Sequence, residues 1–297
     1  MKQKQNILAD KLADLQETMQ REKIKLSPEM SAYLKEHVES VQGKLMRGEP
    51  VYPKDMEFIE EVKTWLENEK FIQKDMTKSY DEMADTLDNY GYADKRPDKE
   101  TVLKAIRDLG PEMIERIRKF NRPTIIMTPK GDLASKIQKL DANKKYTDAN
   151  GQQDETDFQE PPSDALWGPN TTNFSVSIVD GVPEMPKLPA DKVDLTNNKK
   201  HKYLCEEYKK LGIKMISARE YAMLAQKSLR AYEKGGQNKD EIIDKNNYTY
   251  LNADHLTNLK KVPYARWFSV IRGFDFRWDG PAFRDDLAHG RPSVLVL

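Results

Sequence analysis

The sequence predicts an α+β protein, with an all-helical N-terminal region followed by a mixed α+β C-terminal domain. Two changes along the chain carry this expectation. Apolar residues recur at helical spacing as far as Phe120, and from Phe174 the pattern turns to strand-like alternation. Between them, residues 141–164 hold seven acids, two lysines and almost nothing apolar. The expected organisation is a helical region 1–122, a connector 123–164 with a short strand, a short helix and an acidic mobile loop, and an α+β domain 165–297. A chain of 297 residues is long enough to bury sizeable cores, and 9% aromatic content speaks against wholesale disorder despite 33% charged residues.

The first helix follows from Leu8, Leu12, Leu15 and Met19, which line one face while Lys11, Asp14, Glu17 and Arg21 take the others. Ser27 and Pro28 form an N-cap and first-turn pair for a second helix, in which Met30, Leu34, Val38, Val41 and Leu45 run on to the stop at Gly48. Pro53 opens a third run with Phe58, Ile59, Val62, Trp65 and Leu66. Met76, Tyr80, Met83, Leu87 and Tyr90 form a fourth, ended by Gly91. Val102, Ile106 and Leu109 precede a break at Gly110 and Pro111, after which Met113, Ile114, Ile117 and Phe120 resume the helical spacing.

Pro123 to Met127 is the first β-like run, and Leu133, Ile137 and Leu140 suggest one more short helix. The acidic stretch that follows reads as a mobile loop, because it cannot bury enough apolar surface to offset roughly 1–2 kcal/mol of backbone entropy per ordered residue. Phe174, Val176 and Ile178 alternate with Ser175, Ser177 and Val179, the pattern of a half-buried strand ended by Gly181 and Pro183. Pro183, Pro186 and Pro189 hold an extended connection to a helix over Tyr203, Leu204 and Tyr208. Ser217 and Glu220 then have the spacing of a capping box, in which each side chain satisfies the other's free backbone donor. Tyr221, Leu224, Leu229 and Tyr232 belong to the helix this opens, Gly235 and Gly236 close it, and the rest reads as β and loop.

From Tyr264 to Leu297 the composition shifts: seven aromatics fall in 34 residues, and lysine gives way to five arginines. Aromatic rings offer contact area at little rotamer cost, and guanidinium desolvates more readily than ammonium, so the shift suits a recognition surface. The residues expected to carry binding are Tyr264, Arg266, Trp267, Arg272, Trp278, Phe283 and Arg284. The competing expectation is packing, since Phe274, Phe276 and Trp278 alternate with Asp275 and Arg277 as in a half-buried strand.

The run Val270-Ile271-Arg272-Gly273, the central Trp278, the Asp- and Arg-rich loop to Asp286 and the ending Gly290-Arg291-Pro292-Ser293-Val294 resemble the C-terminal part of C-type-lectin-fold proteins. The likeness is to the formylglycine-generating-enzyme type and to the variable proteins diversified by retroelements. In that family an RGG-type turn leads into a Trp, a surface loop follows, and a Gly-Phe-Arg or Gly-Val-Arg motif opens the closing strand. Here Phe274 replaces the second Gly of the turn, and no residue separates Gly290 from Arg291. The resemblance implies a C-type-lectin-like fold for the C-terminal domain and a displayed surface. The chain is also similar to a bacterial family that combines a helical N-terminal half with a strand and an RPSV-like ending of this kind, a likeness that implies no function.

Cys205 is the only cysteine, which excludes an internal disulfide, a zinc ribbon and the paired-cysteine chemistry of formylglycine-generating enzymes. His201 stands four residues before it and can reach it on one helical face, but the thiol reads as a small core side chain. Asp275, Asp279, Asp285, Asp286 and His289 supply ligands for a hard cation, yet interleaved arginines make ion pairing the default, so no metal and no cofactor is expected. Asp254-His255, or Asp285-Asp286 with His289, can be assembled into acid-base pairs of no particular spacing. The basic run from Asn198 to Lys202 lacks interleaved aromatics, and 49 basic residues balance 49 acidic ones, which argues against nucleic acid. No segment has the length and apolarity of a membrane span or leader, so a cytoplasmic protein without membrane partners is the default. The expected function is a non-catalytic binding or display protein, its Arg- and aromatic-rich C-terminal surface facing a protein or other macromolecule. The alternative is a structural or assembly protein, for example of a phage or host complex, in which that surface is buried between subunits.

Overall fold

A computed structural model describes residues 2–22, 24, 26, 28–50, 52–89, 96–129, 174–183, 201–235, 242–252, 262–268, 273–279 and 288–297. The expected helix at 133–140, the acidic loop 141–164 and the connection through Pro186 and Pro189 lie outside these residues. The mixed α+β class is observed. The chain divides into two compact units, Met1–Asp75 with Gly110–Glu115, and Met76–Leu109 with Arg116–Leu297. This division falls well before the expected boundary at residue 122, because the fourth and fifth helices belong with the β-sheets rather than with the helices preceding them.

The first unit is built on α1 (Lys2–Glu22), α2 (Pro28–Met46) and α3 (Pro53–Phe71). Leu8, Leu12 and Leu15 meet Leu34, Val38 and Val41 and the α3 residues Ile59, Val62 and Leu66 in one apolar cluster. Each such side chain removed from water contributes about 1.5–3 kcal/mol, whereas the exposed Lys63–Asp14 pair contributes ~1 kcal/mol or less. Gly48, at φ +67°, provides the left-handed turn that ends α2. Asp55 fixes the start of α3 by accepting the Tyr52 backbone N–H at 3.0 Å and pairing with Lys44 at 2.7 Å.

A π-helical turn, Ile72–Met76, carries the chain from α3 into α4 (Thr77–Asn89), where the sequence suggests two separate runs. Met76, Tyr80, Met83 and Leu87 are buried as their spacing predicts. Asp98 caps α5 (Lys99–Asp108) through the Thr101 N–H, and Gly110 at φ +83° makes the turn before α6 (Pro111–Arg118).

In the second unit, β1 (Pro123–Thr128), β2 (Ser175–Asp180), β3 (Lys214–Met215) and β8 (Pro292–Leu295) form a sheet in the order β1-β2-β8-β3, antiparallel throughout. The expectation of a half-buried β2 is corrected: Val176 to Asp180 are all buried, because β2 is an inner strand and both its faces are covered. The second sheet takes β4 (Tyr248–Tyr250), β5 (Val262–Phe268), β6 (Gly273–Asp279) and β7 (Ala288–Gly290) in the order β6-β5-β4-β7. Between β2 and β4 lie α7 (His201–Lys210) and α8 (Ala218–Lys234), and α8 packs on β1 and α4. Among the described strands β1 stands at the edge of its sheet, and there Ser79 Oγ of α4 accepts the Ile125 N–H at 2.8 Å. No described helix is long and apolar enough to cross a membrane.

Candidate functional site

The two long strands β5 and β6 form an antiparallel hairpin in full register, from Val262 opposite Asp279 to Phe268 opposite Gly273. On it, Arg266 is half-buried and lies 5.1 Å from the Tyr248 ring centroid, its Nη1 donating to the Tyr248 hydroxyl at 3.0 Å. The guanidinium is therefore held by a cation–π contact and a hydrogen bond together, so little rotamer freedom is left to lose on contact. Tyr264 corrects the expectation of a displayed ring: it is 7% exposed and meets Tyr248 edge-on at 5.5 Å. Phe274 and Phe276 are half-buried and make T-shaped contacts with Tyr221 of α8, with centroids 6.0 and 5.7 Å apart. Trp267 stands in register with Phe274, and Trp278 with Pro263. Arg272, Phe283 and Arg284 lie outside the described residues.

Arg291, the last arginine of the segment, is not at the surface at all. It is fully buried, and its two Nη groups donate to the backbone oxygens of Asp180 and Val182 and to Asp244 Oδ1 at 2.8 Å. Asp244 has a left-handed backbone, φ 51°, and also accepts from Thr249 Oγ1 at 2.6 Å and Tyr221 Oη at 2.9 Å. His289 Nε2 lies 3.2 Å from Thr249 Oγ1 and 3.4 Å from Asp244 Oδ1, so Nε2 carries the proton that these oxygens accept. Burial alone pushes the Asp244 carboxyl up, but Arg291 and His289 outweigh it and hold the group well below the usual carboxylate range.

A hydroxyl, an imidazole and a carboxylate thus stand together, yet Thr249, His289 and Asp244 are each fully buried. The cluster ties β4, β7 and the turn after β2 together. A second buried carboxylate bridges strands β2 and β8: Glu220 accepts from Ser177 of β2 and Ser293 of β8, and from the Ser217 N–H of the predicted capping box. Sequence reasoning finds the box but not its serine partners; Ser177 reads as the polar side of a half-buried strand.

Cys205 is half-buried with Sγ 3.8 Å from His201 Nδ1, while His201 Nε2 donates to the Leu251 carbonyl at 2.8 Å. His201 is thereby anchored as a packing residue, edge-on to Tyr250. Among the described residues no group of three or more His, Cys, Asp or Glu is arranged to hold a metal ion. Asp254 and His255 lie outside the described residues.

Compared with known proteins, the chain matches no family model, and no curated protein and no solved structure matches it.

Proposed function

We propose that the protein is a non-catalytic binding protein, its C-terminal hairpin and the arginine-rich segment around it recognising a protein partner. The observation that carries this reading is Arg266, half-buried and held on the ring of Tyr248 at the middle of β5. Interfaces concentrate their energy in such arginine and tyrosine side chains, preferably ones ordered before contact. The sheet order supports it as well, since β6 is bonded along β5 only and stands at the edge of its sheet among the described strands. The clustered acid, imidazole and hydroxyl groups of the second unit are spent on holding strands together, which favours binding over catalysis.

The test is site-specific photocrosslinking in the producing cell, with a benzophenone side chain at position 275 or 277, which stand opposite Arg266 and Tyr264 in the ladder, and, as controls, at the exposed Tyr33 and Tyr203. The expected result is a discrete heterologous product from the hairpin positions only, with a yield roughly tenfold lower in Arg266→Ala. A product of twice the chain mass favours the assembly reading instead. No hairpin product, or one indifferent to Arg266, overturns the proposal.

A further inference from the structure

A cavity of about 370 Å³ opens within the second unit, with no hairpin residue in its described lining. Its walls come from α4, α8, the residues entering β1 and the turn after β2. The described lining carries five cations, Lys78, Arg122, Lys227, Arg230 and Lys234, against two carboxylates, Glu82 and Asp85. Helical spacing explains the arrangement: Lys78, Glu82 and Asp85 share one face of α4, and Lys227, Arg230 and Lys234 share one face of α8.

The two carboxylates are each shared between cations. Glu82 lies 2.8 Å from Lys227 Nζ and 3.9 Å from Lys78 Nζ, and Asp85 lies 2.6 Å from Lys234 Nζ and 3.4 Å from Arg230 Nε. The lining therefore keeps an excess of three positive charges around a concave space, and among its cations Lys227 is only 8% exposed. Burying an ammonium in such company is costly. Burial weakens its hold on the proton, Glu82 offsets part of that, and Arg122 and Lys78 add smaller losses. The Asp180 carboxylate accepts the backbone N–H of Asn121 and Arg122, fixing the segment that carries Arg122, and Gly181 stands so close to Thr124 that an added Cβ would lie 2.3 Å from its hydroxyl.

We propose that this cavity binds a small molecule through a phosphate or pyrophosphate group. A single carboxylate brings one negative charge, whereas a phosphate monoester brings about −1.5 to −2 and tetrahedral oxygens that take donors from several directions. Donors here come from α4, α8 and the entry to β1, with both the fork of arginine and the point charge of lysine. The apolar side chains of Leu224, Ala231 and Ile243 line the same space and suit the organic part of such a molecule.

The test is calorimetric titration of the whole chain with inorganic pyrophosphate, orthophosphate and citrate at one fixed ionic strength, repeated on the mouth variant Arg230→Gln/Lys234→Gln and on Lys227→Met. The expected result is saturable one-to-one pyrophosphate binding, weakened at least about tenfold by the double variant and abolished in Lys227→Met. Citrate is expected to bind at least about tenfold more weakly than pyrophosphate. Absence of saturable binding up to about 10 mM, or binding that the folded double variant retains in full, overturns the site. Equal binding of citrate overturns the phosphate assignment. Because the double variant changes residues at the rim of the cavity, it decides the matter even where Lys227→Met fails to fold.

Discussion

At the scale of single residues, the buried polar groups of the second unit make opposite predictions according to whether they are paired. Tyr208 is fully buried, and its hydroxyl has no partner among the described residues, so burial pushes its ionisation far up. Tyr208→Phe removes an unpaired oxygen without opening a cavity and is expected to leave stability unchanged or raise it by up to about 1 kcal/mol in chemical denaturation. Asp244→Asn has the opposite outcome. It strands the Arg291 guanidinium without its counter-charge, at an expected cost of about 3–5 kcal/mol. The pH dependence follows from the same carboxyl. Its folded value lies below the unfolded value of about 3.9, so the unfolded chain takes up the proton first. The stability it confers is complete above that value and is lost as pH falls into the window beneath it. Acid titration of stability is expected to show this loss in the wild type and a shallower slope in Asp244→Asn.

At the scale of elements, the sequence is most legible where a helix buries one face. The spacing of Leu8, Leu12 and Leu15 and the Ser217–Glu220 box place α1 and the start of α8 with no help from tertiary contacts. It is least legible where a neighbour from far along the chain changes what a polar residue means. Ser177 reads as the exposed side of a half-buried strand, yet it is buried because Glu220 accepts its proton. The join between α3 and α4 is a further case: periodicity gives two runs, and the π-helical turn that keeps the chain helical between them leaves no mark in residue spacing. Ser79 tests this view of elements completed by distant partners. Ser79→Ala leaves the Ile125 N–H of the β1 edge without its acceptor and is expected to cost about 1–3 kcal/mol, measured by denaturation, although the serine lies on a helix.

At the scale of the whole molecule, the compositional signal in the C-terminal segment proves to be a mixture. Arginine replaces lysine there for two separate reasons that composition cannot separate: Arg291 is desolvated to hold Asp244 and the end of β2, while Arg266 stays half-exposed on an aromatic ring. Tyr264 likewise belongs to the packing of the sheet. The candidate site was thus legible as a region and not residue by residue, and the basic cavity was invisible because its lining is scattered from Lys78 to Ile243. The reading of the hairpin as a recognition surface stands or falls on whether Arg266 acts outward or inward. The decisive measurement is therefore chemical denaturation of Arg266→Ala set beside the yield of its hairpin crosslink per folded molecule. The account predicts a stability change of no more than about 1 kcal/mol with a crosslink yield reduced roughly tenfold. A stability loss of about 3 kcal/mol or more with the yield unchanged would contradict it and make the hairpin a purely structural part of the second sheet.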